Sequence, residues 1–464
     1  MHESSPGPGW RPLLAALSLL LSGLLWLSGL LGSLERPSVD HSLSLRQLQL
    51  EVLAAPAIPA RLQPLLLQKD PAQALTEALG MQLKDQVGPP EPDQQLQLAL
   101  LQQQRGDRIE AAALLERLSV LVPPDQRLLL DRLEDPAAAA ATSGSELRTL
   151  LAPWRQTSSA FTDRLICEQL ASEPAGCSNP VRQRLALWRL LAVNGLPSLL
   201  LMLGLGLLLR ELLQLIRRRL PLPPLQGPAL GLLDVTLLIA GGFVVLGELI
   251  AVLLGPLSTQ LLSPLAASPM RQQSLQVVLL YLGLMLPPLA ILRVQLAGCP
   301  PPVPPGGWLQ WRWRPLGPCL RSAAGTLLMA LPLVAGASWV VERLVGDPGG
   351  SNPLLELVLT ANDPLALLGF AFTAMVLAPL FEETLFRGVL LPVLGQRWGP
   401  VAGLLGSALA FALAHVSLGE LVPLAVLGLG LGWLRLKSAS LAPCVLMHAL
   451  WNTLTFANLV LLAG

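Results

Sequence analysis

Nine apolar segments recur along the 464-residue chain, and all but one are about as long as a membrane-spanning helix. A helix needs roughly 20 residues, rising about 1.5 Å each, to cross about 30 Å of hydrocarbon. The segments are Leu13–Gly32, Leu190–Leu209, Ala229–Gly255, Leu275–Leu292, Ala323–Val341, Leu365–Leu394, Val401–Leu418, Leu421–Leu434 and Leu441–Leu462. Charged residues make up only 13% of the chain, against roughly 25% in a soluble domain. The sequence therefore predicts an all-α, polytopic membrane helix bundle of about eight or nine transmembrane helices, in which Leu421–Leu434 is short for a straight crossing.

Basic residues alternate between the connections of these segments. If the N-terminus is cytoplasmic, the short outer connections hold only Arg271 and Arg343, with Arg189 at one outer edge. The positive-inside rule therefore favours a cytoplasmic N-terminus and, with nine spans, an outer C-terminus. Residues 1–32 are predicted to be an uncleaved transmembrane anchor, because their apolar run exceeds the usual 7–15 residues of a signal peptide, the alternative reading. The net charge of +1 gives no reason to expect a nucleic-acid partner.

Residues 33–184 form the longest stretch without an apolar segment and are predicted to be an extracytoplasmic helical domain. Strong helix formers fill Arg108–Val120, which favours pairs of amphipathic helices. A tetratricopeptide-like arrangement stays open, although no clean 34-residue period is present. Cys167 and Cys177 lie ten residues apart in this domain, and a disulfide and two unlinked thiols are both compatible with that spacing. Transmembrane helices are expected in residues 185–345, and residues 364–464 form the last unit.

Glu382 and Glu383 lie side by side in an otherwise apolar stretch, with Arg387 four residues after Glu383. An ionised carboxylate in hydrocarbon is costly, so two adjacent acids indicate a functional site. On a helix Glu383 and Arg387 share a face and can pair, while Glu382 points about 100° away and stays free for chemistry. Asp234 and Glu248, in an earlier segment, are interpreted as polar groups of the bundle interior.

Two histidines lie in the following apolar segments. His415 follows Phe411 by four residues, and Asn452 follows His448 by four, so each pair shares a helical face. If the three segments pack together, a carboxylate, two imidazoles and an amide converge in a dry pocket. Counting along the segments places Glu382 and His448 in the inner half of the bilayer and His415 nearer the outer half.

Such a pocket is suited to hydrolysis of an amide bond by either of two mechanisms. In the first, the carboxylate takes a proton from water as general base while imidazole and amide donors stabilise the oxyanion. In the second, Glu382, His415 and His448 are ligands of a divalent metal such as zinc, which activates the water. The sequence leaves the cofactor unknown and does not choose between these mechanisms.

Three motifs occur in order in separate apolar segments: E-E-x-x-x-R from Glu382, F-x-x-x-H from Phe411 and H-x-x-x-N from His448. This arrangement resembles the CAAX-processing and bacteriocin-processing family of intramembrane endopeptidases, which includes the type II CAAX prenyl proteases. The resemblance covers about the last 100 residues. It implies that Glu382 is the catalytic residue that activates water.

The same resemblance implies roles for the remaining motif residues. His415 would assist the catalytic glutamate, and His448 and Asn452 would support the oxyanion. Glu383 and Arg387 would be supporting, structural residues. The expected partners are a peptide or protein substrate at the membrane and the lipid bilayer itself.

Two other classes of function stay open. A non-catalytic immunity or scaffold protein could retain the same fold and bind a partner. A proton-coupled transporter could use Glu382 and the histidines as a proton relay, although no inverted repeat is visible in the sequence.

Overall fold

The computed structural model describes residues 9–34, 39–85, 91–134, 142–154, 158–171, 177, 179–217, 222–264, 268–346, 353–361 and 363–463. Within these ranges every regular element is a helix, and the sole β-type contact is an isolated bridge between Thr142 and Ala171. The prediction of an all-α fold is therefore confirmed. The chain divides into two compact units, Met1–Val39 with Pro197–Gly464, and Asp40–Leu196.

The membrane unit consists of apolar helices, most of them long, which are numbered here in chain order. They are α1 Trp10–Leu34, α2 Pro180–Ile216, α3 Leu232–Leu262, α4 Pro269–Ala297, α5 Leu316–Val345, α6 Pro353–Thr360, α7 Pro364–Trp398, α8 Pro400–Leu413, α9 Leu421–Ser438 and α10 Ala442–Ala463. In the part of the chain that the structure describes, eight helices are long and apolar enough to cross a membrane, namely α1 to α5, α7, α9 and α10. The protein is a multi-pass membrane protein.

Among the nine predicted segments, the one that forms a short helix is Val401–Leu418, as α8, and not Leu421–Leu434. Val401–Leu418 was expected to span the membrane, but α8 has 14 residues, about 21 Å, and ends at Leu413. The His415 imidazole Nδ1 lies 2.8 Å from the Phe411 carbonyl oxygen, so the His415 amide donates to Ala412 instead, at 3.2 Å. The next residue, Val416, has a left-handed backbone (φ 49°), which stops the helix.

Residue counts from the junction of α7 and α8 give Glu382 and His415 similar heights, unlike the counts along the separate predicted segments. Helices α7 and α8 join at Gly399, and Glu382 lies 16 residues before Trp398, about 24 Å from the join. His415 lies 15 residues after Pro400, about 22 Å from the same join. A helical hairpin therefore brings both residues to a similar height.

Helix α9 is longer than the sequence suggested, since it extends through Arg435 and Lys437 to Ser438. The two basic residues just after the predicted segment Leu421–Leu434 have partners within the bundle. Arg435 is fully buried and donates to the carbonyl oxygens of Arg387 (3.2 Å) and Gln226 (2.7 Å). Lys437 pairs with Glu211 at 2.5 Å.

The two acids of α3 differ from each other. Asp234 pairs with Arg11 of α1 at 2.5 Å and accepts from the Gly231 amide at 2.8 Å, so it joins two helices. Glu248 lies on the exposed side of α3, and its interpretation as an interior group was wrong. Hydrophobic periodicity could not separate these cases, because both acids interrupt the same apolar segment.

Helix α7 lies at the centre of the membrane unit, whereas α1 lies at its edge. Every residue from Glu383 to Val393 is buried, and Phe370, Phe381 and Phe386 are among the largest fully buried side chains. In contrast, the leucines of α1 are mostly exposed. In a bilayer those exposed leucines face lipid, so the polar groups of α7 lie in the most enclosed part of the bundle.

Asp40–Leu196 packs its own hydrophobic core. Its helices are Val39–Ala54, Gln63–Leu66, Pro71–Asp85, Pro92–Arg105, Arg108–Leu121, Pro124–Glu134, Gly144–Leu151 and Ala160–Leu170, followed by the first residues of α2, with short 3-10 turns at Ala55–Ala57 and Ala152–Trp154. Trp154 is fully buried and donates from its indole to the Gln126 carbonyl oxygen at 3.1 Å. Cys167 and Cys177 form a disulfide. The sequence left open whether these two cysteines form a disulfide or remain thiols, and in the structure they are bonded.

Close contact between α2 and α5 depends on Gly204. A Cβ atom at this position would lie 2.0 Å from the Leu328 carbonyl oxygen and 3.1 Å from the Pro332 side chain. At Gly206, two residues away, a Cβ would meet nothing within 4 Å. The absence of a side chain at Gly204 therefore allows the two backbones to touch.

We predict that Gly204→Ala destabilises the detergent-solubilised protein, because the added methyl group separates α2 from α5. Overpacking of this kind typically costs about 1–3 kcal/mol. Gly206→Ala is the matched control and should be neutral or slightly stabilising, since alanine is the better helix former. Thermal unfolding of both variants measures the difference, and an equal melting temperature for the two would contradict the assignment.

A buried carboxylate in the second unit predicts a pH dependence. Asp93 accepts from Thr162 Oγ1 at 2.5 Å, Gln97 Nε2 at 2.8 Å and the Ser159 amide at 3.2 Å. Burial nevertheless raises its pKa above the ordinary value for aspartate, and these hydrogen bonds offset that only in part. The folded state therefore binds a proton more tightly than the unfolded state, so the contribution of Asp93 to stability is lost as pH rises through the folded pKa.

Asp93→Asn should remove this dependence. The unfolding free energy of the wild-type protein minus that of the variant should be larger near pH 3 than near pH 7. Chemical denaturation of both proteins at the two pH values measures the difference. A constant offset between them across that range would exclude titration of Asp93 as the cause.

Candidate active site

The acid pair lies on α7 between two π-helical turns. These turns are Thr373–Leu377 and Thr384–Leu390, and the α-helical stretch Ala378–Glu383 separates them. A π turn inserts one residue into the helix, which leaves a backbone carbonyl without its usual partner, and such turns are frequent at functional sites. Side chains of other helices supply the missing donors: Asn452 to Ala374 O (2.6 Å), Ser407 to Phe386 O (2.9 Å) and Arg435 to Arg387 O (3.2 Å).

Glu383 is the centre of the buried polar network. Its Oε1 accepts from Arg387 Nη1 at 2.9 Å and lies 2.9 Å from His448 Nδ1. Both Glu383 and Arg387 have no exposed side-chain surface. The predicted pairing within α7 is therefore present, and it also fixes the imidazole of a second helix, α10.

Arg387 connects three helices through one guanidinium. Besides its bond to Glu383, it donates from Nη2 to the Gly428 carbonyl oxygen of α9 at 3.1 Å, and its Cζ lies 4.4 Å from the centre of the Phe411 ring on α8. A planar guanidinium can form a carboxylate bond, a carbonyl bond and a stacking contact at once, which a lysine could not. Gly428 allows the close approach of α9, since a Cβ there would lie 3.0 Å from the Ala408 backbone.

Glu382 has a different environment from its neighbour. Its Oε1 accepts from the Tyr281 hydroxyl at 3.0 Å. Its Oε2 is buried, has no hydrogen-bond partner among the described residues, and lies 4.0 Å from His448 Nε2. The side chain is 15% exposed, whereas that of Glu383 is completely buried. The Oε2 of Glu383 also has no hydrogen-bond partner among the described residues, but only Glu382 has exposed side-chain surface and no cationic partner for its Oε1.

His448 lies between the two acids. With Glu383 paired to Arg387 as a carboxylate, the hydrogen at the short contact belongs to His448 Nδ1. In the neutral imidazole this leaves Nε2 as an acceptor that faces Glu382. The bond to Glu383 therefore sets both the orientation and the tautomer of the ring, in the way that a carboxylate partner commonly does.

His415 contacts this cluster through an aromatic ring. Its ring centre lies 4.8 Å from that of Phe411, and the His448 ring lies 5.7 Å from Phe411. Its Nδ1 donates to the Phe411 carbonyl oxygen, so Nε2 is the nitrogen left for chemistry. Within the part of the chain that the structure describes, no hydrogen bond joins His415 to Glu382.

Asn452 lies one turn after His448, as its spacing in the sequence predicts. One of its two amide N–H groups donates to the Ala374 carbonyl oxygen at 2.6 Å, in the first π turn of α7. Asn452 therefore joins α10 to α7, and it retains a second donor.

Two residues of the site were not identified from the sequence. Tyr281 on α4 holds Glu382, and it is the chain's single tyrosine, placed within an apolar helix. That rarity was the available signal. Arg435 lies just beyond the predicted segment Leu421–Leu434, and the structure places it, fully buried, behind Arg387. No spacing rule could reveal this, because its partners are backbone carbonyl oxygens.

A metal site does not fit the present arrangement. Among the residues that the structure describes, no group of three or more His, Cys, Asp and Glu side chains is arranged so that it could hold a metal ion. His448 is directed by its bond to Glu383, and His415 contacts the cluster through Phe411. We therefore derive no step through a metal.

Comparisons with known proteins match two separate parts of the chain. Residues 364–454 match the family model described as "Type II CAAX prenyl endopeptidase Rce1-like". Residues 40–188 match a model described as a domain of unknown function, DUF8675. No solved structure matches the chain.

One curated relative is an uncharacterized 24.3 kDa protein of Escherichia coli, which is 41% identical over 135 residues. The match covers 28% of this chain and 56% of the relative, so the chain spans just over half the length of the curated protein that it matches.

The region that matches the endopeptidase model contains the site residues Glu382, Glu383, His415, His448 and Asn452. Residues 364–454 thus form a domain of the CAAX-processing and bacteriocin-processing family, which is related to the type II CAAX prenyl proteases.

Proposed function

We propose that this protein is an intramembrane endopeptidase that hydrolyses a peptide bond of a membrane-associated protein or peptide, with Glu382 as the general base. The observation that carries the proposal is the buried, unpartnered Oε2 of Glu382, which lies 4.0 Å from His448 Nε2. A water molecule about 2.8 Å from each atom would donate a hydrogen bond to both. The site is therefore suited to hold and activate a single water.

The reaction follows from this arrangement. Glu382 takes a proton from the water as its oxygen forms a bond with the carbonyl carbon of the substrate, which gives a tetrahedral oxyanion. The C–N bond then breaks, and the proton held by Glu382 passes to the leaving amine. Tyr281 orients the carboxylate throughout, because its hydroxyl holds the other oxygen of Glu382 at 3.0 Å.

The distances support a different division of roles between the histidines from the one that family resemblance implied. His448, not His415, lies next to Glu382. A neutral His448 that donates from Nδ1 to Glu383 is only an acceptor at Nε2, so it cannot donate to an oxyanion in that state. A neutral His415 that donates from Nδ1 to the Phe411 carbonyl oxygen is likewise only an acceptor at Nε2. We therefore assign oxyanion stabilisation to the second N–H of Asn452 and water positioning to His448.

We also propose that the N-terminus is cytoplasmic and that residues 33–184 are extracytoplasmic. The alternation of basic residues supports it. So does the disulfide between Cys167 and Cys177, because disulfides persist mainly in oxidising compartments. The extracytoplasmic domain is then available to select or recruit substrates.

Glu382→Gln should abolish cleavage while the protein stays folded, since the amide keeps the shape and cannot accept the proton. We expect a loss of at least about 100-fold, in line with the usual contribution of a general base. The assay uses the full chain in lipid vesicles with a panel of membrane-tethered peptides, prenylated and unprenylated. Glu248→Gln, on the exposed side of α3, is the matched control. Undiminished cleavage by Glu382→Gln would reject the mechanism, and normal cellular function of that variant would favour a non-catalytic role.

Tyr281→Phe should lower kcat by about 10- to 100-fold and leave KM unchanged, because a hydrogen bond to a charged group is worth about 1.5–3 kcal/mol. Ser274→Ala provides the comparison. It also removes a hydroxyl from α4 that bonds to α7, at the Ala366 carbonyl oxygen, away from the acid pair. Ser274→Ala should reduce the stability of the protein and leave kcat unchanged. If both variants reduced kcat equally, Tyr281 would have only a structural role.

A further inference from the structure

A polar cavity of about 510 Å³ lies between α2, α5 and α9, apart from the candidate active site. Three basic side chains line it, one from each helix: Arg210 on α2, Arg321 on α5 and Lys437 on α9. The polar groups of Gln214 and Ser322 complete this part of the wall. A cluster of cations in a concave site indicates an anionic ligand.

The cavity exists because two helices touch at one point and separate beyond it. Helices α2 and α5 are in backbone contact at Gly204 and Leu328, and the cavity opens further along both helices, at Arg210 and Arg321. Gly325 lines the opening, and a Cβ atom there would meet nothing within 4 Å. The open space is therefore a wedge between α2 and α5 that is closed on one side by α9.

The charges of this wedge do not cancel. Glu211 is the one acid in the lining; it holds Lys437 at 2.5 Å and accepts from the Trp433 indole at 3.2 Å. Within the described ranges neither Arg210 nor Arg321 has a carboxylate partner, and both are exposed. The lining thus carries three cations and one anion, and its two free guanidinium groups are available to a ligand.

The position of the cavity along the helices fits a lipid headgroup. Arg210 lies six residues before the end of α2, about 9 Å, and Arg321 lies five residues after the start of α5, about 7.5 Å. Both are therefore near the level where hydrocarbon meets headgroups. A second cavity, of about 400 Å³, shares Arg210 and runs along the leucines Leu209 and Leu213, which are exposed and would lie beside an acyl chain.

We propose that this wedge is a binding site for an anionic phospholipid of the surrounding membrane. The phosphate lies between Arg210 and Arg321, and an acyl chain follows the exposed leucines of α2. Basic cavities between transmembrane helices bind anionic headgroups in this way. The site is independent of the proposed peptidase chemistry, because none of its residues belongs to the acid pair or its partners.

The test measures thermal stabilisation of the purified full-length protein in a neutral detergent. A short-chain phosphatidylglycerol should raise the melting temperature with saturation, whereas the zwitterionic phosphatidylcholine of equal chain length and inorganic phosphate should not. Arg210→Gln with Arg321→Gln should weaken phosphatidylglycerol binding roughly 30-fold, from about a fivefold loss for each base. Arg397→Gln, an exposed arginine outside the cavity, is the control for charge. Equal stabilisation by phosphatidylcholine or by inorganic phosphate, or unchanged binding in the double variant, would overturn the proposal.

A second variant tests the same site by volume, in case the double variant does not fold. Gly325→Leu fills the wedge without a change in charge and should abolish the saturable stabilisation. Gly336→Leu is its matched control, because it lies on the same helix, also has nothing within 4 Å of its Cβ position, and does not line the cavity. Retained phosphatidylglycerol binding in Gly325→Leu would also contradict the site.

Discussion

The hydrogen bonds of one buried carboxylate organise the catalytic part of this bundle. Glu383 accepts from Arg387 on its own helix and from His448 on α10. A charge with no exposed surface is tolerated only when it is paired and hydrogen-bonded, since desolvation of an isolated ion is very costly. Removal of Arg387 would leave an uncompensated charge at the centre of the membrane unit, and removal of His448 would take away one of the two hydrogen bonds to Glu383. The pairing therefore fixes the position of α7 relative to α10 and also sets the direction in which His448 points.

Because of this pairing, the adjacent residues Glu382 and Glu383 have different environments although their side chains are chemically identical. The Oε1 of Glu383 is bound by Arg387 and His448 and the side chain is completely buried, whereas the Oε1 of Glu382 is bound by the Tyr281 hydroxyl and its side chain is 15% exposed. His448 contacts the first acid with Nδ1 and faces the second with Nε2, at 2.9 and 4.0 Å. The structural and the proposed catalytic carboxylates are thus linked through a single imidazole. The helix that carries them departs from α-helical geometry on both sides, and side chains from three other helices, α8, α9 and α10, satisfy its displaced carbonyl groups.

Much of the architecture could be predicted from the sequence, because a span of hydrocarbon imposes length and polarity on each helix. The all-α bundle, the positions of most helices and the polar residues of the last 100 positions follow from that rule. The pairing of Glu383 with Arg387 follows from helical periodicity alone. Periodicity did not predict the length of α8, which ends where the His415 side chain bonds to a backbone carbonyl oxygen and the next residue turns left-handed.

Local spacing along the chain is enough to predict which polar groups lie in the apolar segments and which of them share a helical face. It does not predict which of these groups meet, and that depends on how the helices pack. The tertiary structure placed His448 rather than His415 beside Glu382, directed one donor of Asn452 to the Ala374 carbonyl oxygen, and brought the only tyrosine to the acid pair. The physical reason is that distances between helices depend on their packing and rotation, and two π turns in α7 shift its faces from the register that regular spacing gives.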